Sequence, residues 1–346
     1  MQDTQPPIRL LVAEDSAVCR DLLVTIFQNT PGVQVVGAAR DGAEAVRLAK
    51  RLHPDVVTMD VYMPHLNGYE AAQQIMAEAP CPIVMVSGHL PGSVNEMSFQ
   101  ALQAGALTIL PKPALEDSAE MRAQWVQQVK LMAAVKVVRR WPHGRTGVTL
   151  PPATANGRVQ LLALAASTGG PGALAAVLGR LPADFPAPVL VVQHVARGFG
   201  ADLAAWLNGQ TALTVQVAED GMALQAGVVL IAPDDHHLLL NAAGLVVLLP
   251  AVKGERYCPS ADRLFTAVAE AYGDTAVGVI LTGMGDDGAR GLVALRKTGA
   301  HTIAQDEATS LIFGMPAVAI QQKAVETVLP MHKIAERIMG YVREGN

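Results

Sequence analysis

LALAASTGGPG, residues 162–172, runs from small apolar side chains into Ser167, Thr168, two glycines and a proline. An apolar run without polar alternation reads as a strand buried on both faces, and the glycines and proline read as a turn opening a helix. A strand delivered into a helix in this way is the unit of a parallel α/β sheet. The purpose of the turn stays open on these residues alone. Either Ser167 caps the helix, or it is a nucleophile held above the sheet by its strand. The segment departs from the G-x-S-x-G elbow by having Ala165 where a glycine would stand.

Outward from this point, strand-like runs recur at APVLVVQ (187–193), LTVQVA (213–218), GVVLIAP (227–233), AVGVILT (276–282) and HTIAQ (301–305). Helical stretches separate most of them, and HLLLNAAGLVVLL (237–249) reads as a hairpin turned at NAAG. The N-terminal part repeats the alternation with strands at 8–13, 33–39, 55–59, 82–87 and 106–110. Helices are expected over 16–32, 41–52, 68–78 and 93–104. The expected fold class is α/β, with two doubly wound parallel-sheet domains. Residues 116–140 carry apolar positions at helical spacing, and 141–157, rich in Gly, Pro, Ala and Thr, reads as a linker. The domains are therefore placed at 1–115 and 158–346, with helix and linker at 116–157.

Composition narrows the function. A chain of 346 residues with 51% hydrophobic and 16% charged residues can bury two sizeable cores. A net charge of −5 gives no footing for nucleic acid or an anionic membrane surface. The start, MQDTQPPIRL, lacks a basic region followed by an apolar one, and no apolar run is long enough to insert in a membrane. Cys19, Cys81 and Cys258 are odd in number and share no metal-like spacing, which fits a reducing compartment. A cytoplasmic protein is expected.

In open α/β sheets, ligands collect beyond the carboxyl ends of the strands. Glu14 and Asp15 follow the first strand, Asp60 the third, Ser87 the fourth and Lys112 the fifth. Clustered carboxylates suit Mg²⁺ with several waters retained, and a hydroxyl with an ammonium suits a phosphoryl group on one carboxylate. The plainer alternative is that Asp15 and Ser16 cap a helix.

AEDS, VVTMDVYMPHLNG, MVSG and the Lys112-Pro113 pair resemble a response-regulator receiver domain, a flavodoxin-like fold. The resemblance implies that Asp60 accepts phosphate from a chemotaxis-type histidine kinase, that Glu14 and Asp15 hold Mg²⁺ beside it, and that Ser87 and Lys112 sense the phosphoryl group. One position departs: Ile109 stands three residues before the lysine, where the family usually carries an aromatic switch residue.

The same rim in the second sheet carries Ser167, His194 after VLVVQ, and Asp286 with Asp287 after VILTGMG. A serine needs an adjacent base, and that base needs a third group to hold it. Backbone N–H groups of the helix opened by the glycines can face an oxyanion. Against this, His194 reads equally as a hydrogen-bonded core histidine, and either aspartate as a cap for the helix starting near Gly288. His236 and His237, being adjacent, offer poor metal geometry.

AASTGGPGAL, VVQHVARGFGADLAAWLN, LIAPDDHHLLL, CPSADRLF, ILTGMGDDGARGL and AQDEATSLIFGMPAVAI together resemble the catalytic domain of the CheB family of chemotaxis protein-glutamate methylesterases. By that resemblance Ser167 is the nucleophile, His194 the base and Asp287, directly before the glycine of GMGxDG, the orienting acid. Thr168 and Met284 line the oxyanion site and cleft. The implied activity is phosphorylation-gated hydrolysis of glutamyl methyl esters on methyl-accepting chemoreceptors, with deamidation of receptor glutamines. No cofactor is implied for the ester reaction, and the receiver is expected to obstruct the cleft before phosphorylation. Two rivals are a transcriptional regulator, which lacks support from any helix-turn-helix pattern or basic face, and a catalytically silent phospho-dependent adaptor.

Overall fold

A computed structural model describes residues 6–87, 108–113, 118–133, 159–195, 199–241, 243–252 and 254–343. The helix expected near 93–104 and the linker expected at 141–157 lie outside the described residues. The chain divides into two compact units, Met1–Arg145 and Thr146–Asn346.

In the first unit five parallel strands stand in the order β2-β1-β3-β4-β5. They are β1 (Ile8–Ala13), β2 (Val33–Ala39), β3 (Val56–Asp60), β4 (Ile83–Ser87) and β5 (Thr108–Pro111). Every residue of β3 and β4 is buried, as central strands covered on both faces require. Helices α1 (Ala17–Gln28), α2 (Gly42–Leu52) and α3 (Gly68–Glu78) begin at Ser16, Asp41 and Asn67, whose side chains accept backbone N–H groups of the first turn. Asn67 and Glu70 form a reciprocal capping box, so the chain turns sharply just after β3. Helix α4 (Ala119–Ala133) packs on this unit: Trp125 lies 5.5 Å from Phe27 between ring centres, and Lys130 Nζ donates to Pro31 O at 2.7 Å.

The second unit holds seven parallel strands in the order β14-β13-β12-β6-β7-β9-β8. They are β6 (Leu161–Ala166), β7 (Val189–Gln193), β8 (Thr214–Val217), β9 (Val228–Ile231), β12 (Ala276–Ile280), β13 (His301–Gln305) and β14 (Thr327–Leu329). The hairpin β10 (His236–Leu240) with β11 (Val246–Pro250) is antiparallel, and Asn241 Oδ1 ties its turn by accepting from Ala243 N and Leu245 N. Strand β14, three residues long and half-buried, is too short to signal itself in the sequence. Leu161, Ala163 and Ala165 face one core layer, shared with α7 (Ala261–Tyr272), α8 (Ala289–Lys297) and α9 (Met315–Gln321). The alternate residues of β6 are also fully buried, beneath the layer that includes α5 (Gly170–Leu178), α6 (Gly200–Asn208) and α10 (Met331–Arg343). The chain leaves β6 first toward β7 and later returns to its other side at β12. That reversal opens a crevice at the carboxyl ends of β6, β7 and β12.

Candidate functional site

Ser167 is the first residue past β6, and its N–H donates to Thr282 O at 3.0 Å. Gly170 N donates to Ser167 O at 2.7 Å, closing the turn. The N-cap of α5 is Gly169, with no side-chain cap bond, so the helix-cap reading of Ser167 does not hold. Gly169 has φ +78° with Leu311 packed where a Cβ would stand, which leaves glycine as the residue the turn accepts. Gly283, after β12, approaches Ser167 so closely that a Cβ there would lie 2.7 Å from Ser167 Cβ. Ala165 is fully buried in the sheet and needs no glycine. Thr168 follows Ser167 half-buried, its carbonyl accepting from Thr282 Oγ1 at 3.0 Å, and Met284 is half-buried in the loop after β12.

His194 follows β7, and its N–H donates to Ala166 O at 3.0 Å, which sets it beside the end of β6. His194 Nε2 meets Asp287 Oδ2 at 2.8 Å. A carboxylate can only accept, so Nε2 carries the proton and Nδ1 is the bare nitrogen. Among the described residues no hydrogen bond joins Ser167 Oγ to His194. Asp287 is buried, and its carboxylate also accepts from Ser260 Oγ (2.8 Å), Ala261 N (2.7 Å) and Asp262 N (3.0 Å). Burial opposes its charge, but the bonds from His194 and from the first turn of α7 outweigh it and hold the carboxyl below its ordinary range. Asp287 is thus anchored on the N-terminus of α7, not on α8, whose N-cap is Gly288 without a side-chain bond. Asp286 does not cap α8 either. It is exposed, and its Oδ1 accepts from Arg256 and from Tyr257 OH, each at 3.1 Å. The Tyr257 ring stacks on His194 with centres 5.2 Å apart and planes 11° from parallel.

Gln193 joins the two strand ends: its Nε2 donates to Ser167 O and to His194 O, both at 2.8 Å. Gln193, Tyr257, Ser260 and Thr282 escape the sequence reading. Only CPSADRLF, with a serine ahead of a helix, carried a signal that could have drawn attention to Ser260.

At the rim of the first sheet the three carboxylates and the lysine come together. Lys112 Nζ lies 2.8 Å from both Glu14 Oε1 and Asp60 Oδ2, and carboxylate oxygens of Glu14, Asp15 and Asp60 lie within 4.8 Å of one another. Ser87, buried, is held beside Lys112 by Lys112 N donating to its carbonyl at 2.9 Å. Ser16 caps α1 while Asp15 stays in the acidic group, so the cap and the cluster coexist. Burial pushes the carboxyls of Glu14 and Asp60 up, against the pull of Lys112. Glu14 Oε2 is buried with no hydrogen-bond partner among the described residues. One ammonium for three carboxylates and an orphaned buried oxygen fit a hard divalent cation such as Mg²⁺. Ile109 of β5 pairs with Met85 of β4; its side chain lies outside what the structure describes.

Two classes are defined by these sites, a phosphoacceptor receiver and a serine-type hydrolase on a parallel sheet. Residues 10–140 match the family model of the response regulator receiver domain, and residues 162–338 that of CheB methylesterase. The chain is 46% identical to protein-glutamate methylesterase/protein-glutamine glutaminase 4 of Myxococcus xanthus, over 97% of this chain and 98% of that protein. It is 43% identical to the corresponding protein 4 of Geobacter metallireducens, over 97% and 99%. The crystal structure of the Thermotoga maritima CheB methylesterase catalytic domain matches with a TM-score of 0.51 and 40% identity, over 53% of this chain and 99% of that one. The chain belongs to the CheB methylesterase family, with a receiver domain ahead of the methylesterase domain.

Proposed function

We propose that the protein hydrolyses methyl esters of glutamate side chains on methyl-accepting chemoreceptors, and deamidates receptor glutamines, under control of its receiver. The observation that carries this reading is His194 held to a buried Asp287 beside Ser167 at one crevice. Ser167 Oγ attacks the ester carbonyl while its proton passes to His194 Nδ1. His194 then protonates the departing methoxide oxygen, releasing methanol and leaving an acyl-Ser167. Water attacks in turn, loses a proton to His194 and releases the glutamate carboxylate as Ser167 regains its proton. Deamidation follows the same route with ammonia leaving. The developing oxyanion is held by N–H groups at Thr168 and Met284.

On the receiver, Asp60 takes a phosphoryl group from a chemotaxis histidine kinase; Glu14 and Asp15 with Asp60 would hold Mg²⁺, which neutralises charge on the phosphoryl group. Ser87 and Lys112 then bond the new oxygens. The functional limits proposed are 1–115 for the receiver, 116–157 for helix and linker, and 158–346 for the catalytic domain. No helix among the described residues is long and apolar enough to cross a membrane, and Cys19, Cys81 and Cys258 form no disulfide with one another; the location we propose is the cytoplasm. The test is a fluorophosphonate probe on full-length protein. Labelling at Ser167 is expected, with labelling and methanol release from methylated receptor both lost in a folded Ser167→Ala variant. A Ser167→Ala protein that still releases methanol refutes the serine mechanism.

A further inference from the structure

His237 is 1% exposed, yet it lies outside the crevice and takes no part in the chemistry above. Its neighbour in β10, His236, is half-buried, and its Nδ1 bonds the nearby Asp234 O at 3.0 Å. His237 instead faces two separate elements. Its Nδ1 is 3.2 Å from Ser260 N, and its Nε2 is 2.9 Å from Glu255 Oε2. A backbone N–H can only donate, so Nδ1 is the acceptor and the ring is the neutral Nε2–H tautomer, donating to Glu255. Glu255 is fixed in turn by Val252 N at 2.9 Å and by an ion pair with Arg263 of α7. Ser260, held by His237 through its backbone, donates its hydroxyl to Asp287 Oδ1 at 2.8 Å.

We propose that Glu255, His237 and Ser260 form a positioning relay that fixes the Asp287 carboxylate, and through it the His194 ring, for the ester reaction. This rests on the triad reading above. The relay explains why a histidine is buried at this place: an imidazole supplies one donor and one acceptor at opposite edges of a rigid ring. Loss of the Nδ1 acceptor leaves Ser260 N–H buried without a partner and lets the first turn of α7 shift under Asp287. A displacement of that kind lowers the rate of the chemical step rather than substrate binding.

The experiment separates the two edges of the ring. Asparagine at 237 can place an oxygen where Nδ1 stands, whereas glutamine reaches toward the Nε2 position and leaves Ser260 N–H unmet. In full-length protein without phosphodonor, His237→Gln is expected to lower kcat for methanol release about tenfold with KM changed less than about twofold. His237→Asn is expected to recover most of that loss. Equal kcat values for the two variants, whether both high or both low, overturn the relay. If His237→Gln does not fold, the half-buried Glu255 decides: Glu255→Leu removes the acceptor for Nε2–H and should lower kcat, while Glu255→Gln keeps it and should not. Equal effects there overturn the proposal too. Asp287→Asn serves as the control, because an active Asp287→Asn protein brings down the triad reading itself, and the relay with it.

Discussion

His194 and Asp287 meet through Nε2 and Oδ2 at 2.8 Å, which turns Nδ1 toward the duty of base. The carboxylate makes three further bonds, all to residues 260–262, so it is as much the cap of α7 as the partner of the histidine. Replacing it therefore touches two properties at once.

Asp287→Asn should lower the esterase rate by roughly 10⁴-fold, the scale seen when a serine protease loses its orienting carboxylate. It should also cost about 1.5–3 kcal/mol of stability, since an amide cannot accept all four bonds. Asp287 is held below its ordinary range in the fold, so its stabilisation is present above that range and is lost as pH falls through the lowered value. Asp286→Asn removes only an exposed pairing with Arg256 and Tyr257 and should stay within about 0.5 kcal/mol of the parent. Rate and urea midpoint for both variants give the ranking; the reverse order would move the orienting role to Asp286.

Mg²⁺ should stabilise the receiver, and more so at higher pH. Glu14 and Asp60 are raised by burial, so their contribution to metal-free stability is complete below the ordinary carboxylate range and is lost as pH rises through the raised values. The cation needs the ionised forms, so its benefit grows over the same interval. At a hundredfold excess over Kd the gain is about 2.7 kcal/mol. Thermal unfolding with and without Mg²⁺ at pH 5 and pH 7.5 measures this, and a shift of equal size at both values would contradict it. EDTA should not slow ester hydrolysis in the absence of phosphodonor; a loss there would reveal a metal in the esterase reaction.

Asp60→Asn should abolish the rise in esterase rate that a small phosphodonor brings to the parent protein. A tenfold rise corresponds to about 1.4 kcal/mol of differential stabilisation between the resting and active arrangements. An activation ratio in Asp60→Asn equal to the parent's would place the phosphoacceptor elsewhere. If obstruction by the receiver is the resting state, residues 157–346 alone should be faster than the unphosphorylated full chain.

Gln193→Leu should slow fluorophosphonate labelling of Ser167 while costing about 1–2 kcal/mol of stability, because it withdraws the shared donor from two carbonyls. Labelling at the parent's rate would show that the amide holds backbone only.

The strand ends were legible because burial on both faces erases alternation, and a polar residue after such a run stands out. Ser167, His194, Asp60 and Glu14 announce themselves in that way. The α7 cap does not, since Asp287 follows that helix in sequence by fifteen residues (272 to 287) and reaches back across the fold. A pattern read along the chain assigns an aspartate before a helix to the helix in front of it. Here tertiary packing assigned it to the one behind. Tyr257 and His237 were hidden for a similar reason, as their partners come from other elements.

Gly170 and Gln193 offer a last point. A Cβ on residue 170 would fall 1.9 Å from Gln193 Oε1, an atom without a hydrogen-bond partner among the described residues. The amide cannot swing away without releasing the carbonyls of Ser167 and His194. A Cβ at 170 would also fall 2.8 Å from Ala166 Cβ, so glycine is required there whatever stands at 193, while a change of the glutamine loosens nucleophile and base together. Position 170 is thus held to glycine by its neighbours on two strands, one of which also ties nucleophile to base, so drift at this turn is confined to the 193 side and is felt there as lost activity.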